Sequence, residues 1–236
     1  NLPSGRKAIS MAAYPAESAG DDSWGRATEY LKYSIEIYSK KYYEYPWNSA
    51  VTVSGVALGM EYPGIVFCLS NLKKDGLWGD ITHEIGHNWF PMIGGSNERK
   101  YMWMGEGFNT FINTLSTADF NNGEYARAKP MDMHRAAAIF TRPGLEPMLS
   151  QPANLKERNT GTLLYNKPGA GLTMLREQIL GPERFDFAFR TYIARWAFKH
   201  PTPDDFFRTM ENAGGESLQW FWRGWFLNNW RLDVAV

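Results

Sequence analysis

Two histidines four residues apart, His83 and His87, sit in a stretch whose other residues repeat at helical spacing. A helix puts positions i and i+4 on one face, so a helical segment brings both imidazoles to one point. The chain around them agrees. From Asp75 onward the pattern predicts helices over 78–91, 105–119, 123–139, 160–180, 183–198, 203–213 and 217–228, punctuated by Pro91, Gly94-Gly95, Pro143-Gly144, Gly181-Pro182 and Pro201. The first quarter reads differently. Residues 24–45 place Tyr30, Tyr33, Ile37, Tyr38 and Tyr42 at helical spacing, and Tyr45-Pro46 ends that helix. Val51-Thr52-Val53 and Ile65-Val66-Phe67, bounded by Ser54-Gly55 and Tyr62-Pro63-Gly64, read as two strands around a turn. A small mixed sheet followed by a run of helices argues an α+β fold, with a mixed part over 1–75 and a helical part over 76–236.

Composition narrows the function classes. Basic and acidic side chains balance at 25 each, which gives no electrostatic reason to expect nucleic acid as a partner. No apolar run approaches the ~20 residues of a membrane-spanning helix. A single cysteine, Cys68, excludes an internal disulfide framework and any multi-cysteine metal site. The 36 aromatic residues, ten of them tryptophan, call for large packing surfaces. A chain that opens on Asn1 rather than Met is expected to be processed or excised from something longer, and both cytoplasmic and extracytoplasmic locations stay open.

His83-Glu84-Ile85-Gly86-His87 is an HExxH pattern, in which the glutamate, about 100° round the helix from the first histidine, reaches a water rather than the ion. A catalytic zinc needs three protein ligands and an open position. After eighteen intervening residues comes Glu106, in Trp103-Met104-Gly105-Glu106-Gly107-Phe108 at the start of the next predicted helix, and Pro91 with Gly94-Gly95 lets the chain turn back between them. A site of two histidines and one glutamate, holding one zinc ion, follows from that spacing.

The ordered segments HEIGHNWF (His83 to Phe90), WMGEGF, Tyr165-Asn166-Lys167 and Gly59-Met60-Glu61 resemble the membrane-alanyl-aminopeptidase family of gluzincin zinc metallopeptidases, which includes leukotriene A4 hydrolase. The resemblance runs from the strands near 51–67 to the helix ending near 228, and it implies a thermolysin-like catalytic domain. On that basis His83, His87 and Glu106 bind zinc, Glu84 is the general base, and Tyr165, 59 residues after Glu106, donates a hydrogen bond to the oxyanion. Glu61 binds the free α-amino group of a peptide substrate. The implied activity is removal of N-terminal residues from peptides. The resemblance further implies that residues 1–236 form one catalytic domain of a longer chain, which packs against N- and C-terminal domains. An endopeptidase on the same scaffold and a non-catalytic zinc-binding relative are the alternatives.

The sequence departs from the family pattern at three places. Leu58-Gly59-Met60-Glu61-Tyr62 lacks the first Gly and the final Asn of the usual GxMEN. Gly105 replaces the Asn expected before the third ligand. Asn113, at i+7 from Glu106 and so on the same face, stands where an acidic residue is usual. An amide raises the basicity of a ligating imidazole less than a carboxylate does, so weaker zinc retention is expected. His134 and His200 read as ordinary core or solvent-facing histidines, and Cys68 as a small buried hydrophobe. Trp222, Trp225 and Phe226 share a helical face and read as packing, and the tryptophans of 220–230 are expected on surfaces that further domains would cover.

Overall fold

The computed structural model describes residues 1–56, 59–126 and 133–230, with the backbone alone over 133–136. The described residues fall into two compact units: Asn1–Ile93 with Ile112–Ala126, and Gly94–Phe111 with Arg127–Val236.

The first unit holds a four-stranded sheet of β1 (Ile9–Ala13), β2 (Ser49–Gly55), β3 (Met60–Tyr62) and β4 (Ile65–Leu69), in the order β1-β2-β4-β3. Parallel neighbours need a long crossover, and helix α1 (Ala27–Lys41) supplies it between β1 and β2. It buries Tyr30, Leu31, Ile35 and Tyr38, and it stops at Lys41, short of the predicted end at Tyr45. The two predicted strands are β2 and β4, but they run parallel rather than around a shared turn. The turn at Tyr62-Pro63-Gly64 joins β4 to β3, a three-residue strand too short to show alternation, and Gly64 takes the positive φ of +77° that the turn needs.

Helix α2 (Lys74–Gly86) packs on α1 and carries the HExxH segment. It begins four residues before the predicted start, and beyond His87 the chain continues in wide helical turns over Asn88–Ile93, interrupted at Phe90 and Pro91. The aromatic residues close this unit. Trp78 stacks on Phe120 at 4.1 Å, and Tyr30 meets both rings edge-on. Trp89 lies against Tyr38 and Tyr45. Pairs of this kind each contribute about 0.5–1.5 kcal/mol beyond area burial.

Helix α3 (Glu98–Asp119) is divided between the units at Phe111–Ile112. The second unit adds α4 (Met133–Phe140), α5 (Lys167–Met174), α6 (Pro182–Trp196) and α7 (Pro203–Gly214). Wide turns at Gly161–Asn166 and Leu175–Leu180 flank α5, so the whole predicted stretch 160–180 is helical in character. Pro203 at the first position and the reciprocal bonds of Thr202 with Asp205 start α7, and Gly215 at φ +69° ends it. A last short helix, α8 (Gln219–Phe221), runs on through Trp222–Leu227. Phe108 is the hub of this core, touching Phe189, Tyr192 and Phe206, while Trp222 stacks on Phe207 at 4.6 Å.

Trp222 and Phe226 are buried as read from the sequence, and Trp220 and Trp230 are exposed at 60% and 62%. Of the predicted helix 123–139, residues 127–132 lie outside the described residues, and Gly123 at φ +86° begins a turn rather than a helix. The side chain of His134 and residue Leu58 also lie outside them. Among the described residues no helix is long and apolar enough to cross a membrane.

Candidate functional site

Within the first unit, α2 brings His83 and His87 together as helical spacing requires, with their Nε2 atoms 3.2 Å apart. The partners of the other ring nitrogens decide the tautomers. His87 Nδ1 lies 2.8 Å from the carbonyl of Phe90, which only accepts, so the ring donates from Nδ1. His83 Nδ1 lies 2.9 Å from Oδ1 of Asn113. The orientation of that amide is set behind it, because Asn113 Nδ2 donates to the Thr82 carbonyl at 3.2 Å and to the Tyr38 hydroxyl at 2.9 Å. Both rings therefore carry a proton on Nδ1 and turn their Nε2 atoms towards one another. With Nδ1 anchored and Nε2 turned inward on both rings, the pair has the donor arrangement of a borderline metal site.

Glu84 sits one position after His83 and is almost fully buried. Glu84, His87 and the half-buried Glu61 of β3 bring one ligand-type atom each within 4.8 Å of one another. Two features hold β3 in that place. Glu61 pairs with Val66 of β4, which fixes its register. Asn88, next to His87, donates from Nδ2 to the Tyr62 carbonyl at 3.2 Å and accepts from the Gly64 backbone N–H at 2.9 Å, tying the β3–β4 turn to the end of α2. Gly59 approaches Glu84 so closely that a Cβ at 59 would overlap Oε1. The sequence reading attached no role to Asn88, although it lies inside the HEIGHNWF segment; only the return of β3 gives its amide a target. Asp80, one turn before His83, accepts from the Leu69 backbone N–H at 3.3 Å, and burial raises its carboxyl above the usual range.

In the second unit, Glu106 lies on α3 and is 9% exposed. It is seven residues, two turns, before Asn113 on the same helical face. Its neighbour Gly107 is where α5 comes closest, since a Cβ there would stand 2.5 Å from the Pro168 ring. Tyr165, in the turn just before α5, is half-buried. Lys167, the last residue of the Tyr165-Asn166-Lys167 segment, is 4% exposed with Nζ over the Trp225 ring at 5.7 Å, and burial lowers its pKa to about 8. Elsewhere, Cys68 is buried within β4, and burial pushes its thiol far above its usual value. His200 is exposed, with Nδ1 at 2.9 Å from the Gly95 carbonyl.

The model of the peptidase family M1 domain matches residues 26–225, most of the chain. The chain belongs to the M1 peptidase family. Among M1 relatives it is 28% identical over 142 residues to a membrane alanyl aminopeptidase of Heliothis virescens, covering 58% of this chain and 14% of that protein. It is 23% identical over 205 residues to aminopeptidase N of Plutella xylostella, covering 79% of this chain and 22% of the relative. In fold it is similar to the M1 zinc metallopeptidase of Deinococcus radiodurans, with a TM-score of 0.70 at 16% identity over 98% of this chain and 51% of that one. Aminopeptidase A of Legionella pneumophila, solved in complex with aspartic acid, gives 0.72 at 17% identity over 95% of this chain and 27% of that chain. The chain thus spans less than a quarter of the length of the Heliothis virescens and Plutella xylostella relatives.

Proposed function

We propose that this M1 chain is the catalytic domain of a zinc aminopeptidase, with His83, His87 and Glu106 as the ligands of one zinc ion. The observation that carries the reading is the convergence of the two Nε2 atoms at 3.2 Å, each ring anchored through Nδ1. Two neutral imidazoles and one carboxylate are a donor set suited to zinc with an open position. A zinc ion bound there would supply Lewis acidity to a water and to the scissile carbonyl. Glu84, fixed between α2 and Gly59, takes the proton from the attacking water and delivers it to the leaving amine. Tyr165 donates from its hydroxyl to the negative oxygen of the tetrahedral state. Glu61 pairs with the substrate's α-ammonium group, and its place beside Glu84 and His87 positions the first peptide bond for attack.

The reading takes peptides with a free N-terminus as substrates. It also makes residues 1–236 one domain packed against further domains of a longer protein, a role to which the exposed Trp220 and Trp230 are suited. Aminoacyl-fluorogenic substrates assayed with wild type and Glu84→Gln test it. Activity is expected in wild type and a loss of roughly 10²- to 10⁴-fold in the variant, with zinc content unchanged. Equal turnover in both would sink the mechanism.

A further inference from the structure

Behind His83 lies a group of hydroxyls that the proposed reaction does not use. Tyr38 on α1, Thr82 on α2 and Ser116 on α3 meet in the interior of the first unit, where the Tyr38 hydroxyl lies 2.9 Å from Thr82 Oγ1 and 3.0 Å from Ser116 Oγ. Ser34 Oγ, also on α1, lies 3.0 Å from the same Thr82 hydroxyl. Hydroxyls in an apolar interior cost stability unless they are hydrogen-bonded, and these bond one another. This group holds one amide. The Thr82 carbonyl can only accept, so Nδ2 of Asn113 must face it, and Tyr38 accepts the second N–H. That leaves Oδ1 to accept from His83 Nδ1 and turns Nε2 to the opposite side of the ring.

We propose that Tyr38 is a positioning residue for the metal, and that the hydroxyl group around it is wired for an amide at position 113. It acts through two intermediates: Tyr38 orients Asn113, and Asn113 fixes the tautomer and tilt of His83. The inference rests on the reading of His83 as a zinc ligand. An acid at 113 has no N–H to give. It would set an oxygen against the Thr82 carbonyl, and its contact with Tyr38 would require the phenol to turn from acceptor to donor. Asn113 is in this view matched to its surroundings, and restoring the acidic residue usual at this place gains nothing.

The test is the affinity of the metal-free protein for zinc, measured by competition with a chromophoric chelator, together with the visible spectrum of the cobalt-substituted protein. Removing outer partners of zinc-bound histidines weakens metal binding roughly 10- to 100-fold. One step further out, Tyr38→Phe is expected to weaken zinc by about 3- to 10-fold and to shift the cobalt bands. Tyr192→Phe, a second buried tyrosine change remote from this group in sequence and confined to the other unit, is expected within about twofold of wild type and with its bands unmoved. Asn113→Asp is expected to bind zinc no more tightly than wild type. Tyr38→Phe within twofold of wild type, or Asn113→Asp more than threefold tighter, overturns the inference while wild type still binds one zinc. If wild type binds none, the zinc reading itself falls. Should Tyr38→Phe fail to fold, Asn113→Asp decides alone.

Discussion

Gly59 and Glu84 touch backbone to carboxylate, with no room for a side chain between them. The contact explains why the segment before β3 presents a glycine at the point where it passes the proposed base. It bounds the space open to the Glu84 carboxylate on the side of Gly59.

Gly59→Ala is therefore expected to displace the Glu84 carboxylate without disturbing the sheet, since residue 59 lies outside the strands. A misplacement of about 1 Å costs on the order of 10²-fold in rate. The check is kcat on a fluorogenic aminoacyl substrate, with zinc stoichiometry and thermal midpoint measured alongside. A fall in kcat with both controls unchanged is the expected outcome; wild-type kcat would remove Gly59 from the argument.

Glu61 separates an exopeptidase from an endopeptidase on this scaffold. A charge-assisted bond to an α-ammonium group contributes about 1.5–3 kcal/mol, so Glu61→Gln is expected to lower kcat/KM for free N-termini by roughly 10- to 150-fold. Acetylated peptides are expected to be cut far more slowly than free ones by wild type, and at a similar rate by wild type and variant. Equal cleavage of free and acetylated peptides by wild type contradicts the amine-binding role.

Cys68 gives a prediction free of the catalytic reading. Its thiol is buried in β4, and burial with the nearby Asp80 carboxylate disfavours the reactive thiolate. Native protein is expected to resist a thiol-specific colour reagent at pH 8 and to react with one equivalent after unfolding in urea. Rapid stoichiometric labelling of the native chain would show that β4 opens.

Much of this was legible in the sequence because the decisive features are local. HExxH is a statement about one helix, and α2 places both imidazoles as its period demands. Helices α6 and α7, 15 and 12 residues long, carry enough turns to declare themselves. What escaped is what only tertiary structure supplies. β1 and β3 are five and three residues long, and their pairing partners decide that they are strands. The parallel run of β2 beside β4 was missed for the same reason: the intervening β3 takes the hairpin. Asn113 was read as a weakened copy of an acidic residue, because nothing in its own helix reveals the Thr82 carbonyl and the Tyr38 hydroxyl that require an amide there.

Lys167 carries the last prediction, on stability. Its ammonium is buried over Trp225, and the desolvation lowers its pKa from 10.5 to about 8. Between those two values the unfolded chain holds the proton that the folded one has released, so stability rises with pH across that window. At pH 7 the folded state must keep a buried charge, at a cost that the Trp225 face offsets only in part. Lys167→Met is thus expected to be more stable than wild type at pH 7, by about 1–3 kcal/mol after allowing for that offset. The difference should shrink steadily from pH 8 to pH 10.5, where wild type no longer bears the charge. Urea unfolding of both proteins at pH 7, 8.5 and 10 measures it. A variant less stable than wild type at pH 7, or a gap that does not change with pH, would show that the Lys167 ammonium has a stronger partner than the indole.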